Sequence, residues 1–302
     1  MRFIIVLCVF LFGREGYATQ LHVKPIVEMI LNTKKAILDE NATSSEADYI
    51  FLTFWDFDGT ILKGDCSEGL EQNGTLVYKG LAQILIESGY SKMYNSQKGV
   101  GAFFEEYHHL QSLGRWLAYP YVGQIFRGAS YQQIQAISKQ YFETVLQRYY
   151  FSGSFEILKE LKSHGIHPYI LSASPEMFVK GASTTLGLCE ECFHGIKQNI
   201  KEGRLTEEIQ YPITWAEGKT EKLKQIVAYI SAQNPDKKVV VLAAFGNSYT
   251  TDGPFMRYVK KQELPNGAIP IAVMINGGEP PRDYEDLFMQ ISQDELLGVS
   301  QE

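Results

Sequence analysis

Residues 49–55, Tyr-Ile-Phe-Leu-Thr-Phe-Trp, form a nearly continuous apolar and aromatic run, and similar runs recur at 167–171 and 239–244. A strand that alternates polar and apolar residues leaves one face to solvent; a strand without alternation must be buried on both. Residues 269–275 form a weaker fourth run, and segments with helical spacing lie between the runs at 155–164, 175–186 and 217–232. Apolar strands alternating with helices predict a parallel sheet covered on both faces, an α/β fold with a Rossmann-like core. Residues 21–39 read as a further amphipathic helix, followed by a polar linker over 41–47.

Between the first run and the second lies a different stretch, residues 63–152, rich in Tyr, Phe, Gln and Gly. It reads as helices around 76–88, 97–113 and 131–148, with no strand. A helical insertion after the first strand begins beside the carboxyl ends of the sheet, where ligands bind in this class of fold. The expected organisation is therefore a core made of 19–62 and 153–302, with a helical cap over 63–152.

The chain carries 28 Lys plus Arg against 35 Asp plus Glu, a net charge of −7, and has no sustained basic run. Nucleic acid and anionic membrane surfaces are thereby poor candidates for its main partner. Residues 3–12 are all apolar, one Arg precedes them, and small residues stand at Gly16 and Ala18. This pattern reads as a secretory signal peptide over 1–18, because roughly 20 apolar residues are needed to span a bilayer. The chain is expected to be exported, periplasmic or secreted, without stable membrane insertion after cleavage. Cleavage would leave Cys66, Cys189 and Cys192. Cys189-Glu-Glu-Cys192 suits a local disulfide or half a zinc site, and the lack of a second such pair favours the disulfide. Asn41-Ala-Thr43 and Asn73-Gly-Thr75 match glycosylation acceptor patterns.

Four short segments fall where a strand should end or a helix begin. The first is Asp56-Phe57-Asp58-Gly59-Thr60, two carboxylates beside a buried strand, costly to place without a cation or donors. The second, Ser172-Ala-Ser174-Pro175, offers a hydroxyl and free backbone N–H groups to an anion. The third is Gly218-Lys219, a cation in the first turn of a helix, where the helix dipole disfavours it. The fourth is Gly246-Asn247-Ser248, with Asp252 five positions beyond the Asn. Each has an ordinary structural explanation by itself: an Asp-Gly turn, a helix cap, a solvated Lys, a Gly-Asn turn.

Taken in order, the four resemble the motifs of the haloacid-dehalogenase superfamily, in its phosphoserine-phosphatase-like branch with a helical cap. The resemblance covers about residues 48–275. Within the branch the chain looks most like the bacterial exported phosphorylcholine phosphatases, whose first motif also runs on into an acidic pair spaced like Asp65 and Glu68. The resemblance implies Asp56 as nucleophile, forming an aspartyl-phosphate, and Asp58 as the acid that protonates the leaving alcohol and then activates water. Thr60 and Ser172 would hydrogen-bond the phosphoryl oxygens, and Lys219 would neutralise their charge and hold Asp56 in position. Magnesium would be held by Asp56, Asp58, Asn247 and Asp252, with Asn247 standing where the family usually has Asp. The implied activity is magnesium-dependent hydrolysis of a phosphomonoester, the substrate a small phosphorylated amino alcohol or amino acid.

Asp65 and Glu68 can face a cationic group on the substrate, and Trp116, Tyr119 and Tyr121 can supply an aromatic wall for it. His108 and His109 have no metal-ligand spacing and read as packing or surface residues. Two other functions remain open at this point: a broad-specificity acid phosphatase, or a non-catalytic protein that binds phosphate esters.

Overall fold

The computed structural model describes residues 20–40, 45–95, 99–265 and 267–298. The expected signal peptide over 1–18 and the acceptor pattern at Asn41 lie outside the described residues. No helix among the described residues is long and apolar enough to cross a membrane.

The chain opens with α1 (Gln20–Glu40) and β1 (Tyr49–Trp55), then a hairpin of β2 (Gly69–Gln72) and β3 (Thr75–Lys79). Helices α2 (Leu81–Glu87), α3 (Gly99–Leu113), α4 (Arg115–Gln124), α5 (Tyr131–Thr144) and α6 (Ser152–Ser163) follow. Next come β4 (Ile166–Pro175), two short helices, α7 (Glu176–Val179) and α8 (Ser183–Leu186), then β5 (Phe193–Ile196). A second hairpin pairs β6 (Gln198–Lys201) with β7 (Arg204–Ile209). The chain continues through α9 (Glu217–Gln233), β8 (Lys238–Gly246), α10 (Gly253–Lys260), β9 (Ile271–Ile275) and β10 (Met289–Ile291).

Six strands form one parallel sheet in the order β10-β9-β8-β1-β4-β5. The expected α/β architecture is present. Every residue of β1 but Ile50 is buried, as its unbroken apolar run requires. Its register sets Trp55 beside Ile170 of β4 and Phe245 of β8, with the Trp55 and Phe245 rings stacked 3.6 Å apart. The one polar side chain in the strand, Thr53, accepts a hydrogen bond from Trp55 Nε1 at 3.0 Å, so its burial leaves no unmet oxygen.

The expectation that 63–152 holds no strand is corrected by the β2–β3 hairpin. Asn73 and Gly74 both adopt positive φ, 51° and 73°, which is what a two-residue hairpin turn needs. The helix expected over 76–88 is therefore β3 followed by the shorter α2. The segment expected as one helix over 175–186 is broken into α7, a 3-10 turn and α8. Helices α2–α5 enclose their own aromatic packing, with Tyr94, Phe103, Tyr107, Phe126 and Phe142 all buried. The β6–β7 hairpin ties onto this group: Gly128 N–H donates to Leu205 O (2.8 Å) and Leu205 N–H to Ala129 O (3.0 Å). Cys189 and Cys192 are joined by a disulfide, as expected.

Candidate active site

The site is built where β1, β4 and β8 end side by side. The ladder persists one residue past β1, because Asp56 N–H donates to Phe245 O at 2.9 Å. The chain then turns sharply: the amides of Ile61 and Leu62 both donate to Phe57 O (2.8 and 3.0 Å), and Gly59 takes φ of 77°. Gly59 meets two demands there. Its φ is one that side chains resist, and a Cβ would lie 1.9 Å from Asn247 Nδ2. The loop after β8 therefore sits directly against the turn after β1.

Lys219, in the first turn of α9, has no solvent exposure and donates 2.6 Å hydrogen bonds to Asp56 Oδ1 and Asp252 Oδ1. Burial opposes its charge, but Asp252 and Asp56 outweigh that and hold its pKa above the ordinary lysine value. The other Asp56 oxygen accepts a bond from Thr60 Oγ1 at 2.8 Å. Burial and the nearby Asp252 raise the Asp56 pKa to about 6 in spite of Lys219. Asp252 is fully buried, and its second oxygen accepts the backbone amides of Asn247 and Ser248, each at 3.0 Å. Asp252 thereby joins Lys219 to the loop that presents Asn247.

Asp58 belongs to a separate cluster. Its Oδ1 accepts Cys66 N–H at 2.7 Å, and its Oδ2 accepts Ser174 Oγ (2.7 Å) and Ser172 Oγ (3.2 Å). Burial, then repulsion from Asp65 and Asp56, pushes its pKa well above the ordinary aspartate value. A carboxyl with a raised pKa beside one that is paired with a cation suits the division of labour that acid and nucleophile roles require. Such an acid also lowers stability, because the folded chain holds its proton more tightly than the unfolded one. The penalty grows as pH rises above 3.8 and fades below it, where folded and unfolded chains both keep the proton. Asp58→Asn is expected to melt at a higher temperature than the parent at pH 7, the difference shrinking toward pH 4. A lower melting temperature at pH 7 would mean that the bonds from Cys66 and Ser174 to the charged form dominate.

Above these groups opens a cavity of about 400 Å³. Asp56, Asp58, Gly59, Asp65, Glu68, Ser174 and Asn247 line it, with Tyr107, Arg115, Tyr119 and Val122 from α3 and α4 opposite. Asp65 Oδ1 accepts the amides of Ser67 (2.6 Å) and Glu68 (2.9 Å), and burial raises its pKa. Glu68 Oε1 accepts Tyr107 Oη at 2.6 Å; burial and Asp65 raise its pKa to about 7, against the pull of Tyr107 and Arg115. Both acids reach the cavity.

The remaining expectations divide. Thr60, Ser172 and Lys219 lie under the cavity floor and hold carboxylates, with no surface in its lining. Of the expected aromatic wall only Tyr119 lines the cavity. Trp116 is 57% exposed outside it, and Tyr121 shares a hydrogen bond with the hydroxyl of Tyr94. His108 and His109 are exposed. Residues missed from sequence are Ser174, Tyr107 and Arg115. Ser174 was visible in the Ser-Ala-Ser run, but Arg115 has no local signal. It starts α4 and reaches the loop after β8, where its Nη1 donates to Thr250 Oγ1 at 3.3 Å.

A family model described as haloacid dehalogenase-like hydrolase matches residues 53–257. Among solved structures, a protein of unknown function from Bordetella pertussis Tohama I aligns with a TM-score of 0.57 at 13% identity, over 80% of this chain and 98% of that one. Cytosolic 5'-nucleotidase IIIB bound to cytidine aligns with a TM-score of 0.57 at 14% identity, over 90% of this chain and 87% of that one. A phosphoserine phosphatase, as an analogue of its phospho-aspartyl intermediate, gives 0.45 at 15% identity, over 82% and 95%. At such identities the first two are likenesses of fold alone. No curated protein sequence matches the chain.

Proposed function

The chain belongs to the haloacid dehalogenase-like hydrolases, and from that premise we propose that it is a phosphomonoesterase acting on a small phosphorylated amino alcohol or amino acid. The observation that carries this reading is the pair Asp56 and Asp58 on one cavity floor, one bonded to Lys219 and the other to Ser172 and Ser174 with its pKa raised by burial. Asp56 attacks phosphorus, and the bond from phosphorus to the ester oxygen breaks as Asp58 passes its proton to that oxygen. Asp58, now a carboxylate, takes a proton from the water that attacks the aspartyl-phosphate, releasing phosphate and restoring Asp56. Lys219 keeps Asp56 ionised and fixed throughout.

The oxygen donors fit a magnesium ion. One oxygen of Asp56, the Asp58 backbone carbonyl and the Asn247 amide oxygen would hold it, with a single formal charge among them. A bound ion would supply charge stabilisation to the phosphoryl oxygens.

Charge in the upper cavity supports the substrate class. Asp65 and Glu68 suit a cationic amine, and Arg115 across from them suits a carboxylate. We read residues 63–152 as the cap that selects this leaving group, and 19–62 with 153–302 as the core. Glu68→Gln is expected to lower kcat/KM for phosphoethanolamine by about 1–3 kcal/mol, roughly 5- to 150-fold, and to spare p-nitrophenyl phosphate. Assays with and without magnesium, on both substrates, test the whole reading. Equal losses on both substrates would move Glu68 into the reacting shell, no loss on either would favour a broad-specificity enzyme, and no turnover at all would favour a binding protein. The apolar run over 3–12 supports export with cleavage after Ala18; an exported protein whose N-terminus retains the run would contradict it.

A further inference from the structure

A second cavity of about 410 Å³, equal in size to the first, lies between α9 and the β4–β5 edge of the sheet. Its floor is apolar: Phe193, Ile226 and Ile230 are buried beneath it. One wall is flat, because His194 of β5 stacks on Tyr169 of β4 with ring centroids 6.1 Å apart and planes within 11°. Tyr229, at 67% exposure, stands at the rim with its ring uncovered.

The polar groups around this floor carry an excess of positive charge. Lys180, Lys197 and Lys222 line the cavity against Glu176 and Glu191. Glu176 is already taken, paired with Lys180 at 3.1 Å. Lys222 and Lys197 make no ion pair among the described residues; Lys222 is half-buried, and burial lowers its pKa, with Glu176 opposing and Lys197 adding to the shift. His194 Nε2 is buried with no hydrogen-bond partner. Burial and the three lysines push His194 down to about 4, so at neutral pH it is an uncharged imidazole with one unmet nitrogen. An unpaired half-buried ammonium and an unmet buried nitrogen both cost free energy, and an anion seated among them would offset that cost.

We infer that this cavity is a second ligand site, distinct from the hydrolytic one, for a small anion with a planar apolar body. The body lies against the Tyr169–His194 wall over Ile226 and Ile230, under Tyr229, and the anionic group meets Lys222 and Lys197. The site shares no lining residue with the first cavity, so occupancy of one leaves the other sterically free.

The probe is 2-naphthoate, titrated onto the full chain and followed by NMR line broadening of the ligand, beside the uncharged 2-naphthalenemethanol. The expected result is one saturable site that prefers the carboxylate by about fivefold or more, weakened at least as much by Lys222→Gln. Tyr229→Ala weakens both compounds. Equal binding of the two compounds, or indifference to Lys222→Gln or to Tyr229→Ala, would each overturn the inference. Circular dichroism of both variants checks that the fold is intact, and neither substitution touches the hydrolytic cavity.

Discussion

Asp56→Asn is expected to remove phosphomonoesterase turnover, by roughly 10³-fold or more, without unfolding the protein. The amide cannot attack phosphorus, yet its oxygen can still accept the Lys219 hydrogen bond now made at 2.6 Å. The variant loses a buried charge whose pKa burial already raises, so its melting temperature is not expected to fall far. Turnover and stability measured on one preparation separate the two effects. Activity within tenfold of the parent would remove Asp56 from the mechanism, and loss of activity with loss of the fold would leave only a structural role.

The second large effect is on Lys219. Its ammonium is the only cation bonded to either Asp56 or Asp252 among the described residues, and all three groups are almost wholly buried. Removing one member of a buried ion network leaves charges that water cannot reach, at about 3–5 kcal/mol. Lys219→Met is therefore expected to lower the melting temperature by on the order of 10 °C and to abolish turnover. Adding Asp252→Asn should restore part of the stability, because the amide oxygen can keep the Asn247 and Ser248 amides while the opposing charge is gone. It should restore none of the turnover. A Lys219→Met protein as stable as the parent would show that Asp56 and Asp252 are neutralised some other way.

The sheet was legible because β1 is buried on both faces, and β4 and β8 over their carboxyl-terminal halves, so apolar runs without alternation mark all three. The four motif segments were legible because each follows one of those strands or opens α9. The β2–β3 hairpin also had its signal, in Asn73-Gly74 between two short runs, but that dipeptide was read as part of a glycosylation pattern. The β6–β7 hairpin turns on Glu202 and Gly203, at φ of 51° and 74°, with a polar sequence around them that carries no strand period. Helix α4 contains Pro120, a residue that disfavours a helix interior, and of its aromatics only Tyr119 turns to the cavity.

Within the site, residue types were readable but their contacts were not. Thr60, Ser172 and Lys219 were expected on the phosphoryl group, and they lie beneath the cavity floor. Their bonds run to Asp56, Asp58 and Asp252, and of these only the bond from Lys219 to Asp56 was implied by the resemblance. Asp252 was expected at a metal through the family resemblance. Its hydrogen bonds to Lys219 and to the loop's own amides carried no signal in the sequence. Arg115 comes from 59 residues after Asp56 and meets it only across the cavity, a juxtaposition no spacing rule contains.

The central claim is that the phosphoryl group passes through Asp56. Its most direct test is to quench the enzyme during turnover of p-nitrophenyl phosphate and map the bound phosphoryl mass by peptide mass spectrometry in acid, where acyl phosphates survive. The account predicts the added mass on Asp56, present in the parent and missing from Asp56→Asn. A phosphoryl group found on another residue, or steady turnover with a phosphoryl-free Asp56 even when hydrolysis of the intermediate is slowed by Asp58→Asn, would contradict it.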